Sequence, residues 1–530
     1  MVSKFFKTFG LVALAALVTS ASAQYTSDKV SMYSQLTPAS QGAASGNSCW
    51  GYVSPSGREY AIMGYDNKVT FVDITNPSAP VVKGSVPHTA SLWADVKVHG
   101  SVCYVVSEAN IGIQVIDMSN IDTSGVTLVR TITSPGRSHT IAVDNVSGFL
   151  YTCGSNNGTG TTTCFDLSDP LNPVQVGSAS LTPVYMHEAQ VVTYTSGPYA
   201  GRQIMFGHSE GRGLDIYDVT NKSATFLVKR VAYPNVRYTH QGWLSEDRKW
   251  FYVDDELDED VNGNTGPRSL TRVFNVENLL EAEMVGTFSN GLAKDHNQYW
   301  RDGFLFQANY RSGLRIWDVS EDPINARQAG WFDTYPNSNS TAYDGAWSCY
   351  AFFPSNTVII SDINRGLFVM NVQAATTRTL SATTYSVVEG EEFSGSLASL
   401  KNSDDDRLEL FNDATTLAAT IELNAKSGVK RLSSIKVKVE ASVARPGLSQ
   451  SVMAFRFSDS SWQLVGGTTA STTDAVSEST ISTNVGNFVD AQGNLRIRLS
   501  FAPINDEDPA QDGWLHSVDQ VNWTAVPYTP

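Results

Sequence analysis

The sequence predicts an all-β protein with two parts, a seven-bladed β-propeller followed by a C-terminal antiparallel β-sandwich of jelly-roll type. Three observations predict this fold class. An inner-strand pattern recurs seven times at intervals of 43 to 56 residues, about the length of one four-stranded blade. An apolar strand that ends on Asp or Asn follows in the second half of each repeat. Both patterns stop near residue 375, and a Ser- and Thr-rich region with alternating apolar and polar residues begins.

The inner-strand pattern is centred on an indole or an imidazole side chain. The seven positions are Trp50, Trp93, His139, His187, His240, His296 and Trp347. Histidine accounts for only 8 of 530 residues, so four consecutive histidines at one repeat position are not an effect of composition. Residues at one offset in successive blades are related by rotation about one axis. We therefore expect these side chains to converge at one mouth of the central channel.

The apolar strand in the second half of each repeat ends on a residue that forms turns. These residues are Asp73, Asp117, Asp166, Asp218, Asn275, Asp318 and Asn371. Asp and Asn side chains hydrogen-bond to the backbone two residues further on. We therefore interpret them as turn caps and not as catalytic groups.

Six outer strands can be identified in the repeats, and the seventh is missing. We predict it at residues 28–37, so that the propeller spans residues 24–375 and strands from both chain ends close its last blade. The sandwich is predicted over residues 380–530. Its residues Trp462, Trp514 and Trp523 are either core aromatics or part of a sugar-stacking face.

The N-terminus has the features of a signal peptide over residues 1–23. Lys4 and Lys7 precede the apolar run from Phe9 to Val18, and small residues lead up to Ala23. No later stretch is apolar enough to predict a transmembrane anchor. The formal net charge of −16 argues against a nucleic-acid partner. We expect a secreted protein, periplasmic or extracellular, with an unknown extracellular or cell-surface ligand.

The propeller half resembles the LVIVD-repeat proteins, in particular the choice-of-anchor B family of exported bacterial proteins. The resemblance covers roughly residues 28–372 and rests on runs such as YTHQGWLSED, DHNQYW, QANYRSGLRIWDVS and GAWSCYAFFPSNTVIISDINRGLFV. It implies a secreted or surface-anchored β-propeller without an established activity. The chain departs from anchored members because it ends on NWTAVPYTP, with no apolar helix, basic tail or sorting motif.

The channel mouth is the predicted ligand site, because loops from several blades meet there. The predicted ligand-binding residues are Trp50, Trp93, Glu108, Glu188, Asn309, Trp347 and Asp362. One hypothesis is a transition-metal site on His139, His187, His240 and His296, with carboxylates such as Glu188, Asp255 and Asp295 orienting the rings. The alternative is a hydrogen-bonded ring of histidines that is structural or binds another ligand.

A second candidate site is the acidic run at residues 254–266. Asp258, Asp260 and Asn262 match the first half of a calcium loop, but Ser269 stands where the motif needs a bidentate Glu. The flanking Asp254, Asp255 and Glu256 are the substitutes in this hypothesis. The alternative is a solvated acidic loop without an ion.

Two functions from different classes follow. The first is a non-catalytic exported propeller that binds a ligand or protein partner at the mouth. The second is a metal-dependent enzyme, hydrolytic or redox, that uses the four histidines. The sequence contains no recognisable hydrolase, phosphate-binding or dinucleotide-binding motif, which favours the first. Among the five cysteines, Cys153 and Cys164 are expected to form a disulfide, and Cys49 with Cys349 is a second candidate pair.

Overall fold

The computed structural model describes residues 25–156, 162–179, 185–260, 269–291, 293–505 and 513–530. The predicted signal peptide at residues 1–23 lies outside these residues. The described part of the chain is all-β apart from single helical turns. These turns are Ala39–Gln41, Asp258–Asp260, Gln373–Thr376, Leu397–Leu400 and Val485–Phe488. No helix among the described residues is long and apolar enough to cross a membrane.

Residues 25–371 form consecutive antiparallel sheets, which we number in chain order. From the innermost to the outermost strand, sheet 1 contains Gly46–Val53, Glu59–Tyr65, Lys68–Asp73 and Val81–Pro87. Sheet 2 contains Ala94–His99, Val102–Ser107, Ile113–Asp117 and Thr127–Ile132. Sheet 3 contains Thr140–Asp144, Phe149–Cys153, Thr162–Asp166 and Val174–Ala179. Sheet 4 contains Glu188–Thr193, Gln203–His208, Leu214–Asp218 and Phe226–Val231.

The next three sheets continue the order, and two of them include strands from the start of the described chain. Sheet 5 contains Thr239–Leu244, Trp250–Asp255, Ser269–Asn275 and Glu283–Gly291. Sheet 6 contains Gln298–Arg301, Phe304–Ala308, Leu314–Asp318 and Arg327–Asp333, with Thr26–Asp28 added at its outer edge. Sheet 7 contains Ala346–Tyr350, Thr357–Asp362, Gly366–Asn371 and, outermost, Ser31–Leu36.

The sheets are arranged in a ring. Each innermost strand contacts the innermost strand of the next sheet, and Ala346–Tyr350 of sheet 7 contacts Gly46–Val53 of sheet 1. This cyclic packing of antiparallel sheets around a centre is that of a β-propeller. The pairing of Ser31–Leu36 with Gly366–Asn371 covers an edge that would otherwise be exposed.

The interpretation of the repeated Asp and Asn residues as turn caps is confirmed. Each is the last residue of the third strand of its sheet, and its side-chain oxygen accepts a hydrogen bond from the backbone N–H two residues further on. The seven pairs are Asp73 with Thr75, Asp117 with Ser119, Asp166 with Ser168, Asp218 with Thr220, Asn275 with Glu277, Asp318 with Ser320 and Asn371 with Gln373. A local hydrogen bond thus ends the same strand in every sheet.

The C-terminal region forms two further antiparallel sheets. One contains Arg378–Ser381, Glu391–Ser394, Leu408–Phe411, Leu432–Val443, Ala475–Ile481 and Leu515–Pro527. The other contains Thr384–Glu389, Ala419–Lys426, Leu448–Arg456, Ser461–Thr469 and Asn494–Pro503. Side chains from both sheets form one hydrophobic core, which includes Trp514 and Trp523. Trp462 is only partly buried, with the guanidinium of Arg498 4.3 Å from its ring.

The expected disulfides are not formed, and all five cysteines are buried free thiols. Strand register explains this for the hairpin of sheet 3. Cys164 lies opposite Tyr151, whereas Cys153 lies opposite Thr140 on the other neighbouring strand. Two cysteines on adjacent strands face each other only when they are directly paired, so the loop length alone was misleading.

Candidate functional site

The four repeat histidines lie side by side at one mouth of the channel. His139, His187 and His296 come just before the innermost strands of sheets 3, 4 and 6, and His240 is the second residue of the innermost strand of sheet 5. The ring centroids of neighbours are 4.3 Å apart for His139 and His187, 4.3 Å for His187 and His240, and 4.2 Å for His240 and His296. The ring of Trp347 continues the arc, 4.9 Å from His296.

Every imidazole in this arc is oriented by a hydrogen bond through its Nδ1 atom. The acceptors are Glu108 Oε1 for His139 at 2.6 Å, the main-chain oxygen of His240 for His187 at 3.1 Å, Asp254 Oδ2 for His240 at 2.9 Å, and the main-chain oxygen of Trp347 for His296. Carbonyl and carboxylate oxygens only accept, so Nδ1 carries the hydrogen in each ring. The lone pair of each neutral ring is therefore on Nε2.

Burial keeps three of the four rings neutral, those of His187, His240 and His296. It lowers the pKa of His187 and of His240 well below the usual value, and neighbouring imidazoles lower both further. Burial also lowers the pKa of His296 to about 3. A neutral imidazole is the form that binds transition metals. At neutral pH the mouth thus offers Nε2 lone pairs without first losing protons.

The space between these rings is small. Its walls include the four histidines, Trp93, Trp347 and Glu188, and they leave about 10 Å³ for the centre of a water molecule. A volume of this size holds about one water molecule or one ion. An organic ligand cannot enter the pocket without displacing its walls.

The predicted four-imidazole metal site is corrected by the geometry. Among the described residues at the mouth, His240, His296 and Glu256 form the group of possible metal ligands. One ligand atom from each lies within 4.8 Å of the other two. His296 Nε2 is 3.7 Å from Glu256 Oε1. His139 and His187 do not belong to this group, because the rings are spread along an arc and one ion cannot reach all four.

Trp50 does not lie at the mouth. Its ring contacts Trp243, Tyr299 and Tyr350 at centroid distances of 6.4, 5.8 and 5.1 Å. Those three residues follow His240, His296 and Trp347 by three positions, and Trp50 follows Asn47 by three. Asn47 is therefore the residue of sheet 1 that corresponds to the four histidines. Trp50 lies three residues further along and belongs to an aromatic layer deeper in the channel.

The other predicted ligand-binding residues divide into two groups. Glu188 lines the pocket, Trp93 stands at its rim with 48% of its surface exposed, and Glu108 contacts His139. Asn309 and Asp362 are buried but do not line the pocket. The Asp362 carboxylate accepts the backbone N–H groups of the turn that follows it.

The described residues of the acidic run, 254–260, do not converge on one point. Asp254 bonds His240 and the backbone of Gln241, and Asp255 accepts backbone N–H groups of Arg237 and Tyr238. Glu256 accepts the hydroxyl of Tyr310 at 2.7 Å and faces the mouth. Asp258 pairs with Arg272, and Asp260 with Lys294, while Asn262 lies outside the described residues. These side chains point to different partners, so alternate positions do not converge on one ion.

Sequence reasoning missed several residues of the channel. Below the histidines, Lys97 Nζ is 2.8 Å from both carboxylate oxygens of Asp95, and both side chains are buried. Asp95 also accepts the hydroxyl of Ser48 and the backbone N–H of Ile141. The available signal was the run ADVKV, in which two charges point inward from a strand that is otherwise apolar.

Comparison with known proteins finds one matching family model and several similar solved structures. A family model of the LVIVD repeat matches residues 53–87. None of the curated proteins matches the chain. Among solved structures, the WD40 repeats of RRP9 are similar with a TM-score of 0.41 and 8% identity, covering 64% of this chain and 96% of that chain. The β-propeller domain of Cps50 (Swd1) from Myceliophteria thermophila is similar with a TM-score of 0.41 and 10% identity, covering 62% and 97%.

Proposed function

We propose that this protein is an exported, non-catalytic LVIVD-type β-propeller that binds one transition-metal ion at its channel mouth. The ligands are His240 Nε2, His296 Nε2 and a carboxylate oxygen of Glu256. The observation that carries the proposal is this group of three ligand atoms within 4.8 Å of one another, two of them from histidines that line the small pocket. Two imidazoles and one carboxylate suit Zn²⁺ and similar ions.

The surroundings of the three ligands support metal binding over a purely structural role. Asp254 orients the His240 ring, the main-chain oxygen of Trp347 orients the His296 ring, and Tyr310 holds Glu256. Such outer partners fix the tautomer and direction of metal ligands. The small volume of the pocket that His240 and His296 line favours binding of an ion over catalysis on a larger substrate.

The proposal includes the architecture and the location. The ring of sheets supports a seven-bladed propeller, closed by the strand predicted at residues 28–37, and the two C-terminal sheets with their shared core support a jelly-roll-type sandwich as accessory domain. The features of residues 1–23 support export. The resemblance to the choice-of-anchor B family supports a role at the cell surface or outside it.

A second candidate function is docking of a protein or glycan partner on the same face. The observation that favours it is the exposure of Trp93 beside the pocket, because a large indole with 48% of its surface exposed is a common anchor for partners. Metal binding and docking are compatible, and they are separated by testing Trp93→Ala, which removes no metal ligand.

The test is metal binding to the mature protein after dialysis against a chelator. Elemental analysis and titration calorimetry with Zn²⁺ should find one ion per chain. His296→Gln and Glu256→Gln should weaken binding by more than the about 10–100-fold that is typical of outer partners. His99→Gln, a histidine outside the pocket, is the control.

Two results would count against the proposed site. The first is a wild-type protein that binds no transition metal. The second is a His139→Gln variant that loses as much affinity as His296→Gln, which would mean that the whole arc and not this group of three forms the site.

A further inference from the structure

A second group of carboxylates lies close to the mouth but is separate from it. Asp258 and Glu259 are in the helical turn that follows the second strand of sheet 5, and Asp295 directly precedes His296. One carboxylate oxygen from each lies within 4.8 Å of the others. The exposed fractions of the three residues are 4%, 3% and 0%. A solvated acidic loop would not bury its carboxylates in this way.

Asp295 and Glu259 hold oxygens without a hydrogen-bond partner. Among the described residues, neither Oδ1 nor Oδ2 of Asp295 has a donor, and neither does Glu259 Oε2. The remaining oxygen of Glu259 accepts the backbone N–H of Asp295 at 3.0 Å, which fixes the two residues against each other. Burying a carboxylate without partners is costly, so such oxygens indicate that a cation or a proton compensates them.

The cationic side chains nearby do not balance the group. Arg272 contacts Asp258 at 2.7 Å, and Lys294 contacts Asp260 at 2.9 Å but lies 3.9 Å from Glu259. Two positive side chains therefore stand beside four carboxylates, those of Asp258, Glu259, Asp260 and Asp295, and Asp254 and Asp255 add further negative charge. The carboxylates outnumber the cationic side chains, and a bound divalent cation would offset this excess.

We propose that Asp258, Glu259 and Asp295 bind one Ca²⁺ ion. All the available ligands are carboxylate oxygens, which hard cations prefer. Mg²⁺ usually keeps several water ligands, whereas Ca²⁺ is often bound by protein oxygens alone, so a group that is buried from solvent favours Ca²⁺.

This site differs from the calcium loop that the sequence predicts. Its key ligand, Asp295, comes from the segment before the innermost strand of sheet 6 and not from the acidic run, and Asp260 is paired with Lys294. The ion would tie the turn after sheet 5 to the segment that leads into His296. The inference does not rest on the proposed transition-metal site, because the two groups share no ligand.

The test is the effect of Ca²⁺ on the full mature chain. After dialysis against a calcium chelator, titration calorimetry should find one Ca²⁺ site, and the melting temperature should rise with Ca²⁺ concentration. Asp295→Asn and Glu259→Gln keep side-chain size and should abolish both responses. Asp295→Asn without Ca²⁺ should melt at or above the temperature of the ion-free wild type, because it removes an uncompensated buried charge.

The matched control is Asp260→Asn, which should keep calcium binding. The inference is overturned if the wild-type melting temperature and heat of titration do not respond to millimolar Ca²⁺, or if Asp295→Asn still responds. If Asp260→Asn alone abolished the response to Ca²⁺, the site would lie in the acidic loop and the inference would be wrong. An equal response to Mg²⁺ would overturn the assignment to Ca²⁺.

Discussion

Replacing Lys97 with Met should destabilise the propeller by about 3–5 kcal/mol. Lys97 Nζ lies 2.8 Å from both oxygens of Asp95, and the side chains of Lys97 and Asp95 are only 8% and 5% exposed. Methionine preserves most of the aliphatic stem but leaves the Asp95 charge buried without its cation. The cost is therefore the penalty of an uncompensated charge and not the loss of one favourable contact.

Urea unfolding followed by tryptophan fluorescence is a suitable assay. The ammonium of Lys97 is 4.8 Å from the centre of the Trp50 ring, so that indole reports on the same layer of the channel. The double variant Lys97→Met with Asp95→Asn should recover much of the lost free energy, since both charges are then absent. The energies of the two single variants should consequently not add.

The control uses an ion pair with the same separation at the surface. Lys249 Nζ is also 2.8 Å from Glu277, but the two side chains are 46% and 61% exposed. Lys249→Met should leave the free energy of unfolding unchanged, because water screens exposed pairs. The reasoning is refuted if Lys97→Met is no more destabilising than Lys249→Met, or if the Asp95 double variant is simply additive.

Two further predictions concern the N-terminal strands and the pH dependence of stability. A mature chain that starts after residue 38 lacks the outer strands Thr26–Asp28 and Ser31–Leu36 and the buried Val30. It should melt at a clearly lower temperature, because the outer edges of sheets 6 and 7 are then exposed. An unchanged melting temperature would contradict the role of these strands in closing the ring. Burial lowers the pKa of His516 to about 3, whereas the pKa of histidine in the unfolded chain is about 6.5. The stabilising contribution of the buried neutral ring is therefore complete above pH 6.5 and is lost as the pH falls towards 3. His516→Phe should flatten the acid side of the stability profile measured by urea unfolding, and an unaltered slope would show that other groups dominate it.

Local patterns in the sequence were sufficient for the propeller. The turn caps from Asp73 to Asn371 depend on hydrogen bonds to a backbone only two residues away, so their positions could be identified without tertiary information. The repeat also placed His139, His187, His240 and His296 at one level, because equal offsets in successive sheets give equal depth in the channel. Trp50 failed this rule because Asn47, and not Trp50, stands at the equivalent offset of the strand Gly46–Val53.

The tertiary structure alone decided which side chains meet. Whether four imidazoles bind one ion depends on the curvature of the arc, and the structure selects His240 and His296 with Glu256, a residue predicted for a different site. The grouping of Asp295 with Asp258 and Glu259 joins segments from two sheets, and no spacing in the sequence encodes it. Strand periodicity determines the depth and direction of a side chain, but distances between atoms of different sheets follow only from how the sheets pack around the ring.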